Sequence, residues 1–123
     1  MAEEWFQFIP GPTTQSVRVV FRGFWDEEAV RLYLAALRGR AASTNSASPI
    51  TRALLDMSTC SVQSQAVMDH FSQIVEDYAA QIREYGILLP RSALLKLQMK
   101  RVMLPASTRF FEDEGEAMHW LAS

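Results

Sequence analysis

Apolar and polar residues alternate along the first part of the chain in a way that predicts two strands. In the segment 17–22, Arg18 and Arg22 alternate with valine and phenylalanine, which is typical of a strand with one solvated face. An aromatic and β-branched run at 5–9 precedes it and ends at the turn sequence Pro10-Gly11-Pro12. Because few residues separate the two strands, we expect them to pair in antiparallel fashion.

The rest of the chain alternates between helical and strand patterns. Four segments repeat apolar residues at helical spacing, and three short apolar runs between them are typical of buried strands. The predicted helices cover 26–40, 62–82, 92–103 and 112–121, and the predicted strands cover 50–57, 86–90 and 108–111. A small, polar segment predicts a loop at 41–49. The order ββαβαβαβα predicts a single α/β domain over residues 1–123, with a mixed, mostly parallel sheet of about five strands packed by about four helices.

The amino-acid composition limits the classes of protein to which this chain can belong. The chain has 123 residues, of which 49% are hydrophobic, enough for one domain with a sizeable core. Its single cysteine, Cys60, excludes an intrachain disulfide and a cysteine-based zinc cluster. No apolar run is long enough to span a membrane, and the acidic start, Met1-Ala2-Glu3-Glu4, is unlike a secretion signal. We therefore expect a cytoplasmic protein without stable membrane insertion.

Charge is distributed unevenly around a net value of −2. The segment 83–109 holds six basic residues and one acidic residue, a balance of +5, and part of it forms a basic side on the predicted helix 92–103. Such a helix can face an acidic partner or an anionic lipid surface. We expect no nucleic-acid partner, because no aromatic residues interleave with the basic ones. The predicted basic patch comprises Arg91, Lys96, Lys100 and Arg101.

Hydroxyl-bearing residues cluster where the third strand gives way to the long helix. The carboxyl ends of parallel strands and the N-termini of helices are the places where open α/β sheets bind ligands and anions. Serine and threonine are equally common there as helix caps and turn residues, so capping is the alternative interpretation. The predicted partner- or anion-binding turn comprises Asp56, Ser58, Thr59, Ser61 and Ser64.

The spacing of reactive residues predicts no catalytic or metal site. A thiol near a helix N-terminus, such as that of Cys60, gains reactivity when its pKa falls, but a nucleophile also needs a base. Neither His70 nor His119 is placed beside Cys60 by its spacing, and the two histidines do not share a metal-binding motif. The glycines are too far apart for a phosphate-binding loop. We therefore predict a protein that is not an enzyme and holds no cofactor or metal.

Three stretches carry a resemblance to a known family. The segment 17–28 reads as a strand, a glycine and an acidic helix opening, and 54–58 reads as a central strand ending in Asp-hydrophobic-Ser. The segment 109–121 combines a closing strand, an acidic turn and an Ala-x-x-Trp-Leu helix. In these features the chain resembles the STAS-like family, whose founding member is the sporulation anti-anti-sigma factor, and within it the bacterial SpoIIAA-like proteins. The resemblance implies a STAS-like fold and a protein-binding surface.

In the regulatory members of that family, a partner kinase phosphorylates a serine in an Asp-Ser-Ser-Gly turn before the central helix. The corresponding stretch here, 58–66, reads Ser-Thr-Cys-Ser-Val-Gln-Ser-Gln-Ala, so the motif as such is absent. An ungapped count from Asp56 places Gln65 at the phosphorylated position, whereas a one-residue deletion places Ser64 there. Through the resemblance, Ser64 is the candidate phosphosite.

Three functional hypotheses remain open. The first is a non-catalytic regulatory or adaptor domain that docks a protein partner through the segment 58–64 and the long helix. The alternative is a small-molecule or lipid-binding domain with an apolar pocket near the basic helix, with Lys96, Lys100 or Arg101 at its mouth. The third is a Cys60-dependent enzyme. A homodimer is compatible with each of them.

Overall fold

The computed structural model describes residues 4–43 and 49–123 and contains the predicted element order. A five-stranded sheet is packed by four helices, so the predicted α/β fold class is confirmed. The strands are β1 (Phe6–Pro10), β2 (Ser16–Gly23), β3 (Arg52–Cys60), β4 (Glu84–Leu88) and β5 (Thr108–Phe111). The helices are α1 (Glu27–Ser43), α2 (Gln65–Asp77), α3 (Ala93–Val102) and α4 (Glu114–Ala122).

The strands lie side by side in their chain order, from β1 at one edge to β5 at the other. β1 and β2 form the predicted antiparallel pair, with Phe6 opposite Phe21. The pairs β2–β3, β3–β4 and β4–β5 are all parallel, which confirms the mixed, mostly parallel sheet. β3 is the central strand and is buried on both faces, which explains its nearly continuous apolar run.

Helices cover both faces of the sheet, and the core is divided accordingly. On one face the larger core cluster joins Tyr33 of α1, Phe71 of α2 and Leu95 of α3. On the other face a smaller cluster packs Trp120 of α4 against Leu54 of β3. Successive side chains of β3 point to opposite faces, so neighbouring residues of this strand belong to different clusters.

The end of β3 differs from the sequence prediction. The strand predicted over 50–57 continues three residues further, to Cys60. It does so because Gly23 of β2 still pairs with Cys60 after an irregularity in the register. Ser58 and Thr59 therefore lie in a strand, where we expected a turn.

Helix α2 is shorter than the predicted segment 62–82. It begins at Gln65 because Ser64 is its N-cap, whose hydroxyl accepts a hydrogen bond from the Val67 amide at 3.2 Å. Tyr78 closes the helix, so the residues up to β4 form a connection that the sequence pattern assigned to the helix.

Two smaller differences concern other boundaries. α1 extends to Ser43, so residues 41–43 of the predicted loop at 41–49 are helical, and residues 44–48 lie outside the described part of the chain. β4 begins at Glu84, two residues before the predicted strand at 86–90, because Glu84 pairs with Arg52 of β3.

Candidate functional site

A cavity of about 410 Å³ lies between the sheet and the layer formed by α1, α2 and α3. Its volume is within the range of roughly 300–1,000 Å³ that is typical of small-molecule sites. Four strands and all three helices of this layer contribute to its wall. The wall is mainly apolar, with Leu55 from β3, Phe71 and Val75 from α2, and Met99 and Val102 from α3 among its side chains.

The rim of the cavity lies at the amino ends of the parallel strands. The exposed wall residues are Pro10, Thr13 and Thr14, at and after the end of β1, and Arg40 near the end of α1. The Arg40 guanidinium lies 4.3 Å from the centre of the Phe8 ring, a cation–π geometry. The predicted binding turn lies at the opposite, carboxyl end of the sheet. The cavity instead lies beside α2 and α3, where the alternative hypothesis expected an apolar pocket, but its rim carries Arg40 and not Lys96, Lys100 or Arg101.

Three tyrosines line the cavity, and they are all the tyrosines that the chain has. Tyr33 lies in α1, Tyr78 follows α2, and Tyr85 lies in β4. Tyr33 and Tyr85 are only 5% and 6% exposed. Burial raises the pKa of the Tyr33 hydroxyl far above its ordinary value, and the neighbouring phenols of Tyr85 and Tyr78 raise it further. Burial, with a smaller effect from Tyr78, raises the pKa of Tyr85 to about 12, so both hydroxyls keep their protons at neutral pH.

The predicted turn contains a buried carboxylate, Asp56, which faces the α4 side of the sheet. The amide and the hydroxyl of Ser58 both donate to Asp56 Oδ1, at 3.0 and 2.6 Å. Arg18 of β2 forms an ion pair with Asp56 Oδ2 and a second with Glu114 of α4, at 2.5 and 2.9 Å. Burial alone would raise the pKa of Asp56, but the hydrogen bonds from Ser58 and Arg18 outweigh burial and lower it. This network fastens β2, β3 and α4 together and fully engages the carboxylate.

The other hydroxyls of the predicted turn are separated from this network. Thr59 donates to the Phe21 carbonyl of β2 at 3.1 Å, and Ser64 caps α2. Ser61 is exposed, as is Ser64 at the N-terminus of α2. The role of Ser64 as a phosphosite and the anion-binding role of this set remain predictions.

A surface recess at the carboxyl end of the sheet brings Ser58 and Thr59 near Arg91 of the predicted basic patch. Glu112 and Glu114 line the same recess. The negative charges of these two glutamates repel an anion, whereas Arg91 is the single basic residue of the recess that would attract one. The geometry therefore gives this recess less support as a ligand site than it gives the cavity.

Cys60 is buried and is the last residue of β3. Burial raises the pKa of its thiol to about 11, although Gln63 donates to the sulfur at 3.3 Å. A thiol with this pKa is protonated at neutral pH and is a poor nucleophile. His70 contacts Glu27 of α1, with Nε2 3.2 Å from Oε2. Within residues 4–43 and 49–123, no group of three or more His, Cys, Asp or Glu side chains is placed to hold a metal ion.

The predicted basic patch lies on and before α3, on the side away from the cavity. Lys96 pairs with Glu112 at 3.6 Å, and the Lys100 ammonium lies 5.8 Å from the centre of the Phe110 ring. Arg91 and Arg101 are exposed. The side of α3 that lines the cavity is the opposite, apolar one. The positive charge that we expected from α3 at the mouth of the pocket comes instead from Arg40 of α1.

None of the helices in the described part of the chain is long and apolar enough to cross a membrane.

Comparison with known proteins identifies the fold. Neither a family model nor a curated protein sequence matches the chain. Among solved structures, the chain is similar to an uncharacterized protein of the DUF3478 family with a SpoIIAA-like fold, from Shewanella loihica PV-4. The TM-score is 0.70 at 17% sequence identity, over 94% of this chain and 91% of the other. The chain therefore has a SpoIIAA-like fold, which confirms the fold that the family resemblance implied.

Proposed function

We propose that the protein binds a small, mainly apolar ligand in the cavity beneath α1, α2 and α3. The cavity itself carries this proposal. Protein interiors are packed as densely as organic crystals and contain few voids larger than a water molecule. A cleft of about 410 Å³ that runs from the exposed rim at Arg40 to buried, mainly apolar side chains of the principal core supports a binding site more than ordinary core packing.

The protein acts by binding and not by catalysis. The two side chains that could most readily react are both held in unreactive states. Hydrogen bonds engage the Asp56 carboxylate in a structural role, and burial keeps the Cys60 thiol protonated. In the described part of the chain, the wall of the cavity contains no carboxylate, histidine or cysteine to serve as a general base. A buried free cysteine also suits a reducing compartment, so we assign the protein to the cytoplasm.

The test is an NMR titration with n-butylbenzene, an uncharged apolar probe. We expect the methyl signals of Met99 and Val102 in the cavity wall to shift, and those of Met118 and Leu121 of α4, on the other face of the sheet, to stay in place. An Ala53→Phe variant places a ring in the cavity from β3 and should abolish these shifts. Shifts confined to the exposed Leu94 would indicate adsorption to the surface and would count against the proposal.

A second candidate function is docking of a protein partner on the outer side of α3. Leu94, Leu97 and Leu104 are 57%, 65% and 80% exposed, and their spacing places them along one side of the helix and its end. Lys100 and Arg101 lie among them, so an acidic partner with an apolar stripe would complement this surface.

A photocrosslinker tests this second candidate. Placed at Leu97, the probe should capture a partner that the same probe at Ala35, an exposed position on α1, does not capture. A crosslink between two copies of the chain would show that the surface forms a homodimer instead. The absence of any crosslink specific to Leu97 would contradict the docking function.

A further inference from the structure

The three tyrosines of the cavity have hydroxyl groups without a hydrogen-bond partner in the described part of the chain. Among residues 4–43 and 49–123, no side chain or backbone group forms a hydrogen bond with the hydroxyl of Tyr33, Tyr78 or Tyr85. These oxygens are not among the fully enclosed polar atoms without a partner, so a water-sized molecule can reach them. Tyr33 and Tyr85 are more than nine-tenths buried, and both line the cavity. Each phenol can donate one hydrogen bond and accept another.

The hydroxyls of these largely buried side chains depend on a molecule in the cavity for their hydrogen bonds. Most buried side-chain polar atoms in native proteins bond to protein groups or to ordered water. The tyrosine hydroxyls are accessible and have no protein partner among the described residues, so water or a ligand satisfies them. The three phenols come from α1, from the end of α2 and from β4, yet they lie close enough to interact electrostatically. Three separate elements therefore bring hydroxyl-bearing side chains to the wall of one mainly apolar space.

The charges in the cavity wall limit the charge that a group bound beside the tyrosines can carry. Arg40 is the one charged residue among the described wall residues, and it lies at the rim. A charged group buried beside the tyrosines would lack a compensating charge, and burying an unpaired charge is costly. A carbonyl or hydroxyl oxygen, in contrast, needs only the donors and acceptors that phenols provide.

We infer that the ligand carries an uncharged oxygen function, a carbonyl or a hydroxyl group, that hydrogen-bonds to Tyr33 and Tyr85 while its apolar body fills the rest of the cavity. This inference rests on the proposed function, since it concerns the same cavity. It adds the chemical class of the ligand and the orientation in which it binds: the oxygen faces the tyrosines, and hydrocarbon faces the side chains of α2 and α3.

The test compares two probes with the same carbon skeleton, butyrophenone and n-butylbenzene, which differ by the carbonyl oxygen. Their affinities are measured for the wild-type protein, for Tyr33→Phe, for Tyr85→Phe and for the double variant. Each substitution removes one oxygen atom and leaves the ring that packs in the core. Ser61→Ala is the control, because it removes an exposed hydroxyl outside the cavity. Circular dichroism confirms that each variant is folded.

We expect each tyrosine substitution to weaken the binding of butyrophenone by about threefold to tenfold, the effect of one net hydrogen bond. The binding of n-butylbenzene should stay within about twofold of wild type, since it cannot form that bond. Infrared spectroscopy supplies a second readout, because hydrogen bonding lowers the stretching frequency of the bound carbonyl. That lowering should be present in the wild type and absent in the double variant.

Equal effects of the substitutions on both probes would overturn the inference while leaving the cavity a binding site. Unchanged binding of both probes, with an unshifted carbonyl band, would also overturn it, because the phenols would then be satisfied by water. Failure of both probes to bind the wild-type protein would overturn the proposed function itself and this inference with it.

Discussion

Gly86 and Trp120 are in direct contact across the α4 face of the sheet. A methyl group added at Gly86 of β4 would lie 2.6 Å from the Trp120 ring, which is closer than a Cβ atom approaches a non-bonded atom in real structures. The indole therefore packs onto the sheet because β4 has no side chain at this position. The arrangement fixes α4 on the face opposite the cavity and leaves the other face to α1, α2 and α3.

Gly86→Ala should lower the free energy of unfolding by about 1–3 kcal/mol, the usual cost of overpacking a core. Gly39→Ala is the matched control, because nothing lies within 4 Å of a methyl group there. In the interior of α1 that change should instead stabilise the protein by about 0.5–1 kcal/mol. Urea unfolding of both variants measures these differences, and a neutral Gly86→Ala would contradict the described contact.

Because of Asp56, we expect the free energy of unfolding to decrease as the pH falls into the acid range. Its folded-state pKa lies below the unfolded value of 3.8, so its contribution is present above pH 3.8 and is lost as the pH falls through the lower folded-state value. We expect Asp56→Asn to lower the free energy of unfolding by about 1–3 kcal/mol at pH 7. The difference from wild type should shrink towards pH 3.

The control for this prediction is Asp69→Asn, which changes an exposed carboxylate that accepts a hydrogen bond from Gln65 on the same helix. Its effect at pH 7 should stay within about 0.5 kcal/mol, as is usual for surface substitutions. If the difference between Asp56→Asn and wild type were the same at pH 7 and pH 3, the ion pair with Arg18 would not carry the stability that we assign to it.

Two buried alanines distinguish the cavity from ordinary core. Ala53 of β3 lines the cavity, whereas Ala117 of α4 is completely buried in the smaller cluster. We expect Ala53→Phe to change the free energy of unfolding by less than about 1 kcal/mol, because the ring enters available space, and Ala117→Phe to lower it by about 1–3 kcal/mol or more. Thermal unfolding of the two variants measures the contrast, and equal destabilisation would show that the core beside Ala53 is already filled.

The Cys60 thiol should react slowly in the folded protein. A shift of its pKa from 9.0 to about 11 reduces the thiolate population by roughly a hundredfold at neutral pH, and burial restricts access further. Labelling with 5,5′-dithiobis(2-nitrobenzoic acid) should therefore be at least about a hundredfold slower in buffer than in denaturant. Rapid labelling of the folded chain would reopen the Cys60-dependent enzyme as a hypothesis.

Much of the fold follows from local patterns in the sequence. The apolar run at 53–57 predicts a central strand, and the turn at Pro10-Gly11-Pro12 predicts the antiparallel pair at the edge. The extension of β3 to Cys60 was missed because it depends on pairing with Gly23, a contact between residues distant in the chain. Serine and threonine at 58–59 indicate a turn by local preference, and the partner strand overrides that preference.

The sequence predicted an apolar pocket near the basic helix as an alternative, but it did not predict the tyrosines in the wall of that pocket. An apolar stripe on a helix has the same spacing whether its side chains meet a neighbouring element or enclose a space. Tyr33 and Tyr78 fall on such stripes in the predicted helices 26–40 and 62–82, and only the three-dimensional structure shows that they converge with Tyr85. The sequence signal that could have drawn attention to the site is the occurrence of hydroxyl-bearing rings within stripes that are otherwise apolar.

Mass spectrometry of the protein isolated from its own cells tests the central claim most directly. Under native conditions, we expect a mass that exceeds the chain by one small molecule per copy, and this excess should disappear on denaturation. The Ala53→Phe variant, isolated in the same way, should lack it. A native mass equal to that of the chain alone, or an excess that Ala53→Phe retains, would contradict the claim that the cavity binds a ligand.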